Sequence, residues 1–130
     1  MSGYKIVIDT REQTPLSFPK KELCLGSVAK KLVTGDYSIE GLEKIVSIER
    51  KKYVSELAQN LSDARFHREM DRMAKFKYKM ILCEFDWEDI LGFPYNAKLP
   101  KSVVRRIRMK GKYLINTLVG FQTKYNIHIQ

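Results

Sequence analysis

Two carboxylates and a lysine in the first half of the chain occur at a spacing that suits metal-assisted chemistry on a phosphate ester. Gly35-Asp36-Tyr37 is followed by Glu49-Arg50-Lys51, and the second acid comes thirteen residues after the first. Residues i and i+2 of a strand point to the same face, so Glu49 and Lys51 should project together. Two carboxylates with open coordination positions suit Mg²⁺, which prefers oxygen ligands and retains water. The lysine would hold an attacking water or offset the developing negative charge.

The pattern formed by Asp36, Glu49 and Lys51 also has a simpler, non-catalytic interpretation. An aspartate followed by Glu-x-Lys occurs in many charged chains, where it marks a solvated hairpin with salt bridges. The run Glu49-Arg50-Lys51-Lys52 also fits an ordinary charged strand end. Placement favours the chemical interpretation, because Asp9, Asp36 and Glu49 each lie at the end of a predicted strand. Glu12, in Asp9-Thr10-Arg11-Glu12, is a further candidate at the first of these ends.

The elements that must position these residues follow from hydrophobic periodicity and turn signals. Short apolar, β-branched runs predict strands, and apolar residues at helical spacing predict helices. Strands are expected over 4–9, 28–33, 37–39, 44–49, 78–85 and 125–130, and helices over 54–61, 66–74, 86–91 and from Pro100 onward as one long helix. Residues 10–27 are expected to form a long loop. This order predicts an α/β chain with helices covering a central sheet.

Charge is distributed unevenly along the chain. The net charge is +9, and no Asp or Glu occurs from Ile90 to Gln130. That segment contains eight basic residues, Lys98, Lys101, Arg105, Arg106, Arg108, Lys110, Lys112 and Lys124. A solvated helix face would explain some of them, but such faces usually mix charge signs. We therefore expect Lys101, Arg105, Arg106, Arg108, Lys110 and Lys112 to contact nucleic acid.

Length and composition indicate one globular domain over residues 1–130. The two cysteines, Cys24 and Cys83, lack the spacing of a zinc site, so we expect reduced thiols in an intracellular protein (cytoplasm, nucleoid or nucleus, or a viral protein in its host cell). We find neither a secretory signal nor an apolar run long enough to cross a bilayer, and we expect no membrane partner.

Taken together, the motifs resemble those of the XPF-type structure-specific endonuclease domain. Asp9-Thr10-Arg11-Glu12, Gly35-Asp36-Tyr37 and Ile48-Glu49-Arg50-Lys51 match its three signatures in order. Residues 60–65 and 81–86 are similar to later family segments, and the resemblance spans about residues 4–130. It implies a restriction-endonuclease-like, PD-(D/E)XK fold, with a central mixed sheet flanked by helices. It also implies an endonuclease that uses Mg²⁺, or Mn²⁺ as a substitute, to cut branched DNA such as flaps, forks or Holliday junctions.

The resemblance also assigns roles to individual residues. The implied catalytic residues are Asp9, Glu12, Asp36, Glu49, Arg50 and Lys51. The implied metal ligands are Glu12, Asp36, Glu49 and the backbone carbonyl of Arg50, with Lys51 as the catalytic lysine. Arg11 and Arg50 would contact phosphate or brace the acids, and Arg65 would contact the DNA backbone.

Two departures from the family pattern keep alternatives open. The last aspartate of the signature falls on Ser55, and members with a degenerate signature are often silent subunits that bind DNA or pair with an active partner. Family proteins also usually carry a helix-hairpin-helix module after the nuclease domain, and this sequence ends at Gln130. We therefore expect a stand-alone nuclease, or a fragment whose partner supplies that module, in a homodimer or a heterodimer with a related subunit. A basic RNA-binding or ribosome-associated domain is a third possibility.

Overall fold

The computed structural model describes residues 3–130, and its centre is a six-stranded mixed sheet in the order β2-β1-β3-β4-β5-β6. Antiparallel pairing joins β3 to β1 and to β4, and the other neighbours are parallel. The strands are β1 (Tyr4–Asp9), β2 (Cys24–Lys30), β3 (Tyr37–Ile39), β4 (Val46–Lys51), β5 (Tyr78–Cys83) and β6 (His128–Ile129). The helices are α1 (Val54–Leu61), α2 (Ala64–Met73), α3 (Trp87–Leu91), α4 (Lys101–Arg106) and α5 (Gly111–Tyr125).

Helices connect the three parallel strands β4, β5 and β6. Strand β4 leads through α1 and α2 to β5, and β5 leads through α3, α4 and α5 to β6. Parallel neighbours require such crossovers because a tight turn cannot join them. Asp63 caps α2 by accepting a hydrogen bond from the backbone N–H of Arg65, and Asp86 and Asp89 form a reciprocal capping box on α3.

The hydrophobic core lies between the sheet and these helices. Its fully buried members include Leu57 of α1, Met70 of α2, Ile81 of β5 and Leu114 of α5. The aromatic rings of Phe66 and Phe121 pack with their planes nearly parallel, and fully burying one large apolar side chain contributes about 1.5–3 kcal/mol. The core thus fixes α1 and α2 together, and α1 packs beside β4, the strand that carries Glu49 and Lys51.

The predicted central sheet flanked by helices is confirmed, but several boundaries differ from the sequence prediction, among them those of β4, which spans 46–51 rather than 44–49. The single long helix after Pro100 is wrong, because α4 ends at Arg106 and α5 begins at Gly111. A Cβ at Gly111 would lie 2.1 Å from the carbonyl oxygen of Ile90, so the chain turns there to let α5 pack closely on the end of α3. Strand β2 begins earlier than predicted, inside the expected loop, and α5 takes up the first part of the expected last strand.

No helix within residues 3–130 is long and apolar enough to span a membrane.

Candidate active site

Three acids line up across the sheet. Asp36 directly precedes β3, and continuing the antiparallel register of β3 with β1 places it opposite Asp9. The backbone N–H of Asp9 donates to the carbonyl of Asp36 at 2.9 Å, which extends the ladder to this pair. On the other side the carboxylate of Asp36 accepts from the backbone N–H of Arg50, the residue after Glu49, so that the carboxyls of Asp36 and Glu49 are neighbours. Lys51, two residues after Glu49, projects from the same face of β4 as Glu49.

The turn before β3 explains why a glycine precedes Asp36. Gly35 has a φ of +83°, and a Cβ there would lie 2.5 Å from the hydroxyl oxygen of Ser47 on β4. Only glycine combines that backbone conformation with so close an approach. The next residue is then held at both ends, because the N–H of Asp36 donates to Ile48 and its carboxylate accepts from the N–H of Arg50, both at 2.8 Å.

Glu49 is a buried carboxylate without a donor of its own. Its exposed fraction is 4%, and within residues 3–130 no donor forms a hydrogen bond with its side chain. Burial and the neighbouring carboxyls of Asp36 and Glu69 raise the pKa of Glu49 well above its ordinary value, while the charge of Lys51 opposes this only in part. Such a group is costly as an isolated anion, so a cation would stabilise its charged form.

The sequence interpretation missed Glu69. This residue lies on α2, one turn after Phe66, and its carboxyl is close enough to Glu49 to contribute to the raised pKa of Glu49. The apolar residues of α2 face the core, and Glu69 lies at the edge of that face. Helical spacing from Phe66 and Met70 could therefore have marked it, although no motif did.

Lys51 is held on the side of α1 and α2. Its ammonium lies 3.6 Å from a carboxylate oxygen of Glu56 and 4.9 Å from the centre of the Phe66 ring. The side chain is almost fully buried. Glu56 directly follows Ser55, the position where the family signature has aspartate. A carboxylate therefore lies beside the ammonium of Lys51, one residue after the signature position.

Asp9 is already paired inside the protein. Its carboxylate accepts hydrogen bonds from the guanidinium of Arg11 at 2.8 Å and from the backbone N–H of Leu32 at 2.8 Å. Burial alone would raise the pKa of Asp9, but these hydrogen bonds outweigh it and hold the pKa below the ordinary value. The hydrogen bond to Asp9 raises the pKa of Arg11, and the nearby charges of Asp36 and Glu69 add to this effect. Arg11 thus contacts one of the acids that it was predicted to brace, and its role stays a prediction.

Glu12 lies apart from the row of acids. Its carboxylate accepts from the hydroxyl of Tyr37 at 2.8 Å and from the guanidinium of Arg50 at 3.2 Å. Tyr37 and Arg50 alternate with Asp36 and Glu49 along their strands, so they point to the opposite face of the sheet. The structure therefore does not bring Glu12 to the acids with which it was predicted to bind metal. Sequence order alone could not reveal this, because the chain turns after β1.

The buried side chain of Arg50 joins two distant segments of the chain by hydrogen bonds. It donates to both carboxylate oxygens of Glu84, at 2.8 and 3.2 Å, and to the carbonyl oxygen of Thr14 at 2.7 Å. The hydrogen bonds to Glu84 raise the pKa of Arg50 and lower that of Glu84. The guanidinium thus connects the loop after β1 with the end of β5, and it braces the sheet behind the acids.

The predicted DNA-binding residues lie at the surface. Arg65 is exposed at the start of α2, with its guanidinium 3.8 Å from the carboxylate of Asp63. The cations of the second half are exposed on α4, on the segment that follows it and on the first turn of α5, at Lys101, Arg105, Arg106, Arg108, Lys110 and Lys112. None of them forms an ion pair with an acid of residues 3–130.

Comparison with known proteins places this geometry in context. The family model described as the ERCC4 domain matches residues 8–130. Two solved structures are similar, XPF from Aeropyrum pernix and the same protein in complex with DNA. The first is 20% identical with a TM-score of 0.62 and covers 97% of this chain, and the second is 21% identical with a TM-score of 0.64 and covers 98%. Among curated protein sequences none matches.

These matches confirm the predicted restriction-endonuclease-like fold. The chain spans only about half the length of the two solved relatives, 52% and 55%.

Proposed function

Because the chain belongs to the ERCC4 domain family, we propose that it is a metal-dependent endonuclease that cuts branched DNA. The observation that carries this proposal is the row formed by Asp9 of β1, Asp36 just before β3 and Glu49 of β4, with Lys51 on the same face of β4 as Glu49. A solvated hairpin would leave these side chains exposed. Here Asp9, Glu49 and Lys51 are buried instead, and buried charges are costly unless they are paired or bind a cation. Such buried groups with perturbed pKa values are typical of functional sites.

The donor set suits Mg²⁺ or Mn²⁺. Asp36 and Glu49 would be the ligands, and the carbonyl of Arg50 faces the same strand edge, because the N–H of that residue donates to Asp36. Within residues 3–130 no three His, Cys, Asp or Glu side chains form a ready-made ligand cluster. Two carboxylates with water in the remaining positions is an arrangement that Mg²⁺ accepts. When bound, the cation supplies positive charge at the scissile phosphate and a more acidic water.

The remaining chemistry is assigned to side chains of the chain. The ammonium of Lys51 stabilises negative charge that develops on the phosphate oxygens, and Glu56 and the Phe66 ring hold it in place. Arg11, fixed by Asp9, is directed toward the same pocket and contacts a phosphate of the bound strand. Arg65 and the exposed cations of the second half bind the DNA backbone beyond the site.

A silent DNA-binding subunit is the alternative, and Ser55 favours it. The carboxylate of Glu56 beside Lys51 weakens this objection, because the lysine keeps an acidic partner. The two possibilities separate in one experiment. Labelled flap, fork, Holliday-junction and linear duplex DNAs are incubated with the protein and Mn²⁺ or Mg²⁺. We expect cleavage near the branch and little on the linear duplex. Tight binding without cleavage of any branched DNA, for the chain alone and with a related subunit, would instead establish the silent subunit.

We also propose that the chain acts as a homodimer or with a related subunit. Trp87 and Leu91 of α3 and Val119 of α5 are more than half exposed although they are large and apolar. The packing of α3 on α5 puts both helices on one side of the sheet, so these residues offer an apolar surface for a partner. Light scattering at high protein concentration, alone and with branched DNA, tests this, and a strict monomer under both conditions contradicts it.

A further inference from the structure

A long groove lies next to the active site, between α1 and the chain from Leu99 to Tyr113. Its volume is about 1070 Å³, which exceeds the range of roughly 300–1,000 Å³ usual for small-molecule sites. Its apolar wall is formed by Phe93, Leu99, Val103, Ile107, Met109 and Tyr113. No element of residues 3–130 fills it, so it can accept an extended ligand.

The rim of the groove is positively charged. Arg106, Arg108 and Lys110 line it on the side of α4 and α5, and the ring of Tyr113 beside them is 59% exposed. Glu56 is the one acid among the lining residues. Glu56 also contacts the ammonium of Lys51 at 3.6 Å, so one residue that lines the groove touches the proposed catalytic lysine.

Apolar walls beside a row of cations suit one kind of polymer. Unpaired nucleotides present flat apolar bases and one phosphate per residue, so they need both surfaces at once. In duplex DNA the bases are stacked inside and cannot reach such a wall. An amphipathic protein segment would fill the apolar wall, but it would have to be acidic to match three cations. The charge and shape together favour single-stranded nucleic acid.

We propose that this groove binds unpaired nucleotides of a single-stranded DNA arm. The bases pack against Tyr113 and the apolar wall, and the phosphates contact Arg106, Arg108 and Lys110. The inference rests on the proposed function in one respect, because it would hold the unpaired arm of a branched substrate beside Lys51. The groove thereby contributes to the choice of branched over linear DNA.

Binding without catalysis tests the proposal. Fluorescence anisotropy in EDTA compares a short oligothymidine with an abasic oligonucleotide of equal length and charge. Stacking of one base contributes enough for roughly a tenfold preference or more for the base-bearing strand. The variant Tyr113→Ala should lose most of that preference and keep the affinity for linear duplex. Tyr78→Ala is the matched control, because Tyr78 is 57% exposed and lies outside the groove.

Two results overturn the proposal. Equal affinity of the wild type for the two oligonucleotides would show that the bases are not bound. The acidic amphipathic protein segment would then be the favoured ligand of the groove. A preference that survives Tyr113→Ala, or one that disappears in Tyr78→Ala, would place the bases elsewhere. Both are separate from the nuclease proposal, since neither needs metal or cleavage. If the protein cuts branched DNA but shows no preference for the base-bearing strand, only the groove proposal is refuted. If it shows that preference but cuts no branched DNA, only the nuclease proposal is refuted.

Discussion

The carboxylate of Asp36 accepts a hydrogen bond of 2.8 Å from the backbone N–H of Arg50, which lies between Glu49 and Lys51 in β4. The turn that carries one acid is thereby tied to the strand that carries the other acid and the lysine. The mutual position of the candidate ligands thus depends on backbone pairing rather than on flexible side chains. This pre-organisation is what a metal site requires.

The first prediction concerns Gly35. Gly35→Ala forces a Cβ against Ser47 in a left-handed conformation, and we expect it to lower the free energy of unfolding by about 1–3 kcal/mol. It should also weaken divalent-metal binding, because Asp36 moves with the turn. Gly41→Ala is the control, since Gly41 also has a positive φ, +87°, but a Cβ there would meet nothing within 4 Å. Denaturant unfolding of both variants measures the loss of stability. Equal losses would contradict the role of the close contact between Gly35 and Ser47.

The second prediction links metal and stability at Glu49. A carboxyl whose pKa is higher in the folded chain than in the unfolded chain costs stability as the pH rises from the unfolded value through the folded value. Without metal, Glu49→Gln should therefore be more stable than wild type at neutral pH, and the difference should shrink toward acid pH.

Thermal unfolding with EDTA and with Mn²⁺ measures this effect. A gain of about 1 kcal/mol corresponds to roughly 4 °C in a chain of this length. Mn²⁺ should raise the melting temperature of wild type and leave that of Glu49→Gln unchanged. A pH-independent difference, or an equal Mn²⁺ shift in both proteins, contradicts the assignment.

The third prediction concerns the partner of Lys51. Lys51→Ala should leave metal binding intact and lower the cleavage rate about 10²–10³-fold, as loss of one charge-stabilising group does. Glu56→Gln should lower kcat by a smaller factor with little change in KM, because the ammonium is still present but less firmly held. Ser55→Asp in the Glu56→Gln background restores a carboxylate at the signature position and should recover the rate. An unchanged kcat in a folded Glu56→Gln variant would show that Glu56 does not position the lysine.

The fourth prediction concerns the exposed arginines of α4 and the segment after it. Replacing Arg105, Arg106 and Arg108 by Glu should weaken duplex binding and reduce the slope of log K against log salt by about 0.9 for each phosphate that the protein no longer neutralises. Replacing Lys20, Lys21 and Lys75 by Glu makes an equal change of charge and serves as the control, because these lysines are exposed in other parts of the chain. If both triple variants change the slope equally, the net charge rather than this surface determines binding.

The sequence predicted most of this architecture from local signals. The apolar strands and the helices α1 and α2 follow from periodicity and turn chemistry, and the motifs indicated Asp36, Glu49 and Lys51. The side of the sheet on which Glu12 lies and the closeness of Glu69 to Glu49 could not be predicted, because each depends on how elements distant in sequence pack together. Gly111 shows the same limit, since its helix boundary is set by contact with Ile90 rather than by its neighbours in sequence.

The decisive experiment for the nuclease assignment is cleavage of labelled branched DNA by wild type and by Glu49→Gln, each purified identically and incubated with Mn²⁺, Mg²⁺ or EDTA. We expect cuts near the branch by wild type with either metal, none with EDTA, and none by Glu49→Gln although it still binds the DNA. Cleavage by Glu49→Gln at the wild-type rate, or by wild type in EDTA, would contradict the assignment of the activity to this site.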